Sequence, residues 1–432
     1  MATPPSSAQL PIDPEVPASD GTSRQTTGGT FAALHYPQFR VLWIGTWLSF
    51  VAFFMSTVVN SVVAFELTGL NTAVGWVVFA QGIAMLFLSP IGGALADRLP
   101  KRRVVAIGQV MTSLAFASLA YLYATDRIAV FFLAGAALVM GIAFSFIGPA
   151  RQALVVDVVP ATVRGNAIAL TQVANTGSRV FGPSAAGLFL AWEMGGGATG
   201  AYTVMALLYG ASASLLWLLP KSRVPENPGD RGLFDDVWIG LRYVARTPRL
   251  KVLLTFYTLI IMAGFPHVTL LPGFVENQLG REASAVSLLF TSSAFGAVVA
   301  ALGLARFADS PRALAYFAVT GLLFGLSLVG LGLAPTFELA MVAMFGIGAG
   351  SGGFQALGAS VAAHESDPIY MGRVLSLTML AFAGFGLVGL PLGWVADQVG
   401  EPATIGGMGT VVILLVAVLG VAVSHAQAYE AA

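Results

Sequence analysis

Apolar side chains run through this chain in twelve long stretches, near residues 40–67, 73–96, 104–123, 129–149, 165–191, 198–220, 250–276, 284–305, 313–333, 337–362, 371–396 and 404–424, with short polar breaks between them. Each stretch can cross a hydrocarbon layer of about 30 Å, which takes about 20 helical residues. Several are longer, as tilted or kinked helices are. Lipid offers no partner for backbone N–H and C=O groups, and the runs lack the alternation of an outer-membrane strand, so each must close its hydrogen bonds internally as a helix. The pattern predicts an all-α membrane protein with twelve transmembrane helices.

The breaks between the runs set the domain organisation. Residues 1–34, rich in Pro, Ser, Thr and Gly, predict a disordered cytoplasmic tail; they lack the basic start and apolar centre of a signal peptide. The longest break divides the runs six and six, giving an N-terminal six-helix bundle over 35–220, a linker over 221–249, a C-terminal bundle over 250–425 and a short tail over 426–432. Inside the linker, Leu233, Phe234, Val237, Trp238, Leu241 and Val244 fall on one helical stripe opposite basic residues. An interfacial helix on the cytoplasmic surface fits this spacing, with a soluble linker helix as the alternative. The halves also resemble each other. At a constant offset of 207, Gly165, Leu170, Thr171, Ala174, Gly177 and Gly182 meet Gly372, Leu377, Thr378, Ala381, Gly384 and Gly389, in the fifth and eleventh runs. A duplicated six-helix unit around a central cavity is the arrangement of carriers that alternate access about a midplane site.

Composition agrees: 56% of the 432 residues are hydrophobic, 10% are charged and the mean hydropathy is +0.81, outside the range of a soluble domain. There is no cysteine, so thiol chemistry is excluded. The zero net charge hides an asymmetry. With a cytoplasmic N-terminus, 18 of the 21 Lys and Arg residues fall on the cytoplasmic side; Arg127 and Arg281 fall outside and Arg179 within a span. Basic residues mark the cytoplasmic side, so both termini are expected there. No GxxxxGK[ST] loop is present, which argues against a primary pump, and the four histidines form no ligand cluster. No enzymatic activity, cofactor, metal or nucleic-acid partner is expected. The expected partners are the lipid bilayer and a small-molecule substrate, with the protein a monomer.

The stretch GGALADRLPKRR, residues 92–103, puts Asp97, Arg98, Lys101, Arg102 and Arg103 where the second run leaves the membrane. Positive-inside anchoring accounts for the basic residues but not for Asp97, which needs a positive neighbour such as a helix N-terminus. Gly93, Leu95, Ala96, Asp97, Arg98, Lys101 and Arg102 resemble the signature loop between helices two and three of the major facilitator superfamily, with Pro100 where that family usually has Gly. GPARQALVVDVVPATVRGNAIAL (148–170) and GLRYVARTPRL (240–250) resemble the branch of macrolide-efflux and enterobactin exporters. SRVFGPSAAG (178–187) resembles the fifth-helix antiporter motif, with Ser178 and Ala186 replacing two glycines. The resemblance implies the two-bundle major facilitator fold and a cytoplasmic gate in which Asp97, with Gly93, Arg98, Lys101 and Arg102 around it, meets the start of the eleventh helix near Arg373.

Candidate transport residues follow from what is costly in lipid. Arg179, near the middle of its span, costs about 2.5–3.5 kcal/mol on insertion scales and normally faces a cavity or a partner. A cavity arginine contacting acceptor oxygens of the substrate is the functional reading and a structural arginine the plain one. Asn60, Gln81, Gln172 and Asn175 are amides that seek partners and are further cavity candidates, among aromatics such as Trp43, Trp47, Phe50, Phe53 and Phe54. Gln109 is a weaker one. Ser178, Gly182, Pro183 and Gly187 allow close helix packing, or a bend that biases the cycle towards export. His267 is either a packing residue or a proton carrier; Glu66 and Asp157 are the other proton-coupling candidates, both near membrane ends. No deep carboxylate is apparent, so proton coupling rests on the resemblance. The expected function is a secondary active exporter in the cell membrane, moving a small amphiphilic antibiotic, drug or siderophore by proton antiport. An importer or facilitator on the same fold is the first alternative and a non-transporting sensor the second.

Overall fold

The computed structural model describes residues 29–96, 99–192, 196–220, 235–304, 310, 313–367 and 370–431. Among these, every regular element is helical. The first group is α1 (Pro37–Glu66), α2 (Asn71–Ala96), α3 (Lys101–Ala124), α4 (Val130–Asp157), α5 (Arg164–Ala191) and α6 (Gly197–Leu216). After the short α7 (Asp235–Arg246), α8 (Pro248–Gly264) and α9 (His267–Gly273) continue through a wide turn, Phe274–Gln278, as one crossing. Then come α10 (Val286–Leu304), α11 (Ala313–Gly332), α12 (Phe337–His364), α13 (Met371–Val399) and α14 (Glu401–Ala431). Among the described residues, ten segments are long and apolar enough to cross a membrane by themselves. The 28-residue α5 and 29-residue α13 complete the twelve, and α5 carries Arg179 at its middle.

The starts and stops have local causes. Proline occupies the first turn of α1 and of α8, where its missing N–H is no loss. Gly400, at φ +89°, makes the sharp turn between α13 and α14 and sets Asp397 and Glu401 side by side. One boundary differs from expectation. The fourth run was expected to stop near Pro149, a helix breaker in principle; α4 instead continues through Pro149 to Asp157. Arg151 thereby moves from the cytoplasmic link, where its charge alone had put it, into the body of the helix.

Within the first bundle α2 packs on α4, α3 on α4 and α6, and α1 on α5 and α6; within the second, α12 packs on α10 and α11, and α14 on α8 and α11. The bundles meet along α2–α13 and α5–α10. Shifting by 207 residues turns α5 into α13 and α2 into α10, so the two seams are equivalent, as a duplicated unit requires. The α2–α13 seam is made of glycine. A methyl added at Gly75 would lie 2.8 Å from the Leu390 Cα, one at Gly386 2.6 Å from the Gly82 Cα, and one at Gly393 2.6 Å from the Asn71 carbonyl oxygen. Gly75 and Gly82 are seven apart, and Gly386, Gly389 and Gly393 repeat at three and four, so each helix presents one smooth stripe.

The chain has a basic face, where α1 begins and α14 ends, and a far face, where α1 ends and α2 begins. At the basic face α7 packs Val244 into a cluster with Leu250, Leu254, Ala362 and Val374. Tyr243 stacks on Tyr370 at 4.3 Å and 9°, and its hydroxyl oxygen accepts the Asp367 N–H at 3.0 Å. Trp238 and Leu241 remain exposed. A helix, α7, thus lies within the linker; Leu233 and Phe234 of the expected stripe lie outside the described residues.

Candidate transport site and gates

Gln172, Asn175 and Arg179 stand at i, i+3 and i+7 on α5, one stripe of a 3.6-residue helix. Gln172 is exposed, Asn175 and Arg179 are half-buried, and no hydrogen bond or ion pair holds these side chains among the described residues. Exposure thus increases along the stripe towards the basic face. Arg179 lies deep among protein atoms, with its guanidinium 5.3 Å from the centre of the Phe54 ring. One turn earlier on α1, Phe50 carries a second arginine in the same way: the Arg151 guanidinium is 5.1 Å from its ring. Arg151 is 6% exposed and donates from Nη2 to Ser49 Oγ at 2.9 Å. It lines a crevice with Phe50, Phe53, Phe144, Thr112 and Tyr209. Phe53 stacks on Phe144 at 5.1 Å. The signal that could have found Arg151 is the apolar run on both sides of it, which the proline obscured.

The remaining cavity candidates fall elsewhere. Asn60 is buried inside the first bundle, its Oδ1 accepting the Tyr202 hydroxyl at 3.1 Å, so it ties α1 to α6. Gln109 is likewise buried, on α3. Gln81 is half-buried on α2. His267 is enclosed in the second bundle, where its Nδ1 hydrogen-bonds the Gly264 carbonyl at 2.7 Å and its ring meets the edge of Phe324 on α11. A histidine can close the break between α8 and α9 in this way by occupying the carbonyl that the interrupted helix leaves free.

The antiporter-type motif separates into two close approaches. At Gly182 an added methyl would lie 2.6 Å from the Phe54 Cβ, and at Gly187 2.6 Å from the Ser287 Cβ. The first is packing within the bundle and the second is part of the α5–α10 seam. Ser178 returns its hydroxyl to the Ala174 carbonyl at 2.7 Å, and α5 runs unbroken through Pro183.

At the basic face, Asp97 and Arg98 lie outside the described residues, as do the side-chain surroundings of Gly93 and Arg373. Lys101 and Arg102 are tied within their own bundle. Lys101 Nζ pairs with Asp157 at 2.7 Å, making Asp157 a surface partner at the end of α4. Arg102 donates to the carbonyls of Trp217, at 3.0 Å, and Leu219, and stacks on the Trp217 ring at 5.1 Å. These bonds close the C-terminal end of α6. Arg102→Ala is therefore expected to lower the thermal midpoint of the purified protein by about 2–4 °C, the effect of ~1 kcal/mol in a bundle of this size, with transport per folded molecule unchanged; thermal unfolding beside vesicle flux checks this.

The far face holds a latch that the sequence did not suggest. Asp397, near the end of α13, accepts hydrogen bonds from the Asn71 N–H at 2.7 Å, Asn71 Nδ2 at 3.1 Å, the Thr72 N–H at 3.0 Å and Thr72 Oγ1 at 2.5 Å. One bundle's carboxylate thus caps the N-terminus of the other bundle's helix, where the dipole favours negative charge. Glu401, buried in the first turn of α14, accepts from Asn71 Nδ2 and Asn277 Nδ2, each at 2.8 Å. Glu66 is exposed at the same face. Between described residues, every hydrogen bond joining the bundles lies towards this face: the set at Asp397 and Glu401, and Ser184 with Thr291 at 3.0 Å.

Two pseudo-equivalent bundles, seamed by glycine, hydrogen-bonded to each other at one face and carrying, among the described residues, unpaired polar groups towards the other, have the architecture of a membrane carrier. The Major Facilitator Superfamily model matches residues 42–389, and the chain belongs to that family. It is a multi-pass membrane transporter, not an enzyme. It is 26% identical over 265 residues to Multidrug resistance protein 1 of Bacillus subtilis (strain 168), a match covering 61% of this chain and 64% of that protein, somewhat less than two thirds of its length. It is 27% identical over 333 residues to the enterobactin exporter EntS of Shigella boydii, covering 72% of this chain and 74% of that one. Among solved structures, a variant of the nucleoside transporter NupG aligns with a TM-score of 0.75 at 14% identity, over 89% of this chain and 99% of that one, a likeness of fold.

Proposed function

We propose that this transporter exports a small amphiphilic compound, such as an antibiotic, drug or siderophore, from the cytoplasm across the cell membrane by proton antiport. The observation that carries this reading is the asymmetry of the seam. The far face is latched through Asp397, while the Gln172–Asn175–Arg179 stripe increases in exposure towards the basic face. With the basic face cytoplasmic, as the Lys and Arg distribution argues, the state described is one that loads from inside. The relatives named as a multidrug resistance protein and an enterobactin exporter support export.

In this reading the cycle needs two latches on one antiparallel helix pair. Asp397 at the end of α13 holds α2 at the far face; Asp97, just past the end of α2, would hold the start of α13 near Arg373 when the cytoplasmic face closes. Proton linkage is supported by kinship with exporters and by two carboxylates, Asp397 and Glu401, at a junction that must open for release. His267, shut inside one bundle, and Asp157, paired with Lys101 at the surface, are less well situated for it. Glu66, exposed at the far face, has access from that side. The linker helix α7, with Trp238 and Leu241 exposed, lies on the cytoplasmic membrane surface.

The expected outcome is uncoupler-sensitive efflux. Cells expressing the protein should accumulate less of a transported antibiotic or siderophore than cells without it, and an uncoupler should erase the difference. Energy-dependent accumulation would favour an importer, and no flux of any ligand in proteoliposomes despite binding would favour a sensor.

A further inference from the structure

Among the described residues, the charges inside the first bundle are all of one sign. Arg151 and Arg179 stand over Phe50 and Phe54, four residues apart on α1 and so about 6 Å apart along its axis. The carboxylates described in this half sit at the membrane ends: Glu66 finishes α1, Asp126 lies between α3 and α4, and Asp157 pairs with Lys101. In the second half Glu276, Glu282, Glu338, Asp397 and Glu401 lie towards the far face, while Glu365 pairs with Arg249 at the basic face. No described carboxylate stands beside either deep arginine. A guanidinium has five N–H donors. Arg151 commits one, to Ser49, and Arg179 commits none among the described residues. Ring faces hold the cations without consuming those donors, because the contact is with the π cloud.

A pair of guanidiniums that keep most of their donors, in a low-dielectric site beside stacked aromatics, is complementary to one kind of ligand. It must carry oxygens with full or partial negative charge to neutralise the pair, and an apolar body to cover Phe50, Phe53, Phe54 and Phe144. A cationic amphiphile would add a third positive charge to a site with nothing to balance it. We propose that the transported substrate is an organic anion, an apolar or aromatic body carrying carboxylate, catecholate or similar acceptor oxygens, held by Arg179 and Arg151. This deepens the export reading and rests on it only for direction, since anion recognition is a property of the site at equilibrium. Both are binding residues, and Arg179, with no hydrogen-bond or ion-pair partner among the described residues, carries the larger share.

The test is direct binding by the purified full-length protein, read from tryptophan fluorescence, with matched pairs of aromatic probes differing in the sign of one substituent. These are 2-naphthoate and 2-naphthyltrimethylammonium, and dihydroxybenzoate and its aminomethyl analogue. The anion of each pair is expected to bind at least tenfold more tightly. Arg179→Gln should remove that preference, Arg179→Lys should retain most of it, and Arg151→Gln should reduce it with the protein still monodisperse and folded. Equal binding of both signs, tighter binding of the cations, or no binding of any anion would overturn the proposal. So would an Arg179→Gln protein with unchanged selectivity, since a merely structural arginine predicts that result. Failure of the export reading looks different: anion-selective binding without outward flux in vesicles would reject export and leave the site intact, whereas export of cations alone would reject the site and leave export intact.

Discussion

Gly386→Leu is expected to abolish transport while both bundles remain folded. The three heavy atoms nearest a methyl at this position, the Gly82 Cα and N and the Val78 carbonyl oxygen, all belong to α2 of the other bundle, the first at 2.6 Å. All three are backbone atoms and cannot rotate away, so even alanine requires the helices to separate slightly and leucine requires them to part. Overpacking by single methylenes already costs about 1–3 kcal/mol, and a penalty of about 3 kcal/mol confined to one state shifts a two-state equilibrium by roughly 150-fold. Because the clash exists only while the far face is shut, it acts on the cycle and not on the packing within a bundle. The check is flux in proteoliposomes at matched reconstitution, with Gly386→Ala as an intermediate step. A leucine variant that transports at the normal rate would mean that the α2–α13 seam is not part of the working cycle.

Asp397→Ala should unlatch the far face. Four donors at the start of α2, the backbone N–H groups of Asn71 and Thr72, the Asn71 side-chain amide and the Thr72 hydroxyl, converge on this carboxylate. Hydrogen bonds to a charged group contribute about 1.5–3 kcal/mol, and a carboxylate at a helix N-terminus adds about 0.3–2 kcal/mol. Even the lower part of that range shifts the balance of states by tenfold or more, since 1.4 kcal/mol is one factor of ten. The variant should therefore populate the far-face-open state and lose turnover, with equilibrium substrate binding retained. Asp397→Asn should be intermediate, because its amide can still accept but has no charge. Accessibility of a far-face cysteine to a membrane-impermeant thiol reagent reads the shift without background in a chain that has no native cysteine. Unchanged labelling in Asp397→Ala would remove the latch from the account.

The sequence disclosed the fold more readily than the site, for a physical reason. Solvation by lipid acts on whole stretches, so twelve spans could be bounded to within a few residues, and the main miss arose where Pro149 mimicked a helix end. Which way a helix is rotated depends on partners far away in the chain. Gln172, Asn175 and Arg179 stand out as polar groups in lipid, and their i, i+3, i+7 spacing puts them on one side of α5. Asn60 and His267 met the same criterion but find their partners, Tyr202 and the Gly264 carbonyl, inside a bundle. Asp397 and Glu401 look in sequence like ordinary boundary acids. Their meaning depends on α13 lying antiparallel to α2, which sets the end of one beside the start of the other. The glycine spacing along α2 and α13 was present in the sequence, but glycine is so abundant in this chain, with 50 residues, that only the contact identifies which ones matter.

In the proposed cycle the two faces open alternately about this seam. Pairs of spin labels on engineered cysteines in lipid vesicles test it most directly, one pair across the far face at Leu67 and Leu333 and one across the basic face at Arg103 and Lys251, all exposed positions on opposite bundles. Two distance populations are expected in each pair, exchanging in opposite senses, with Gly386→Leu depleting the short far-face population and enriching the short basic-face one. Distances that lengthen together, or a far-face distribution untouched by Gly386→Leu, would contradict it.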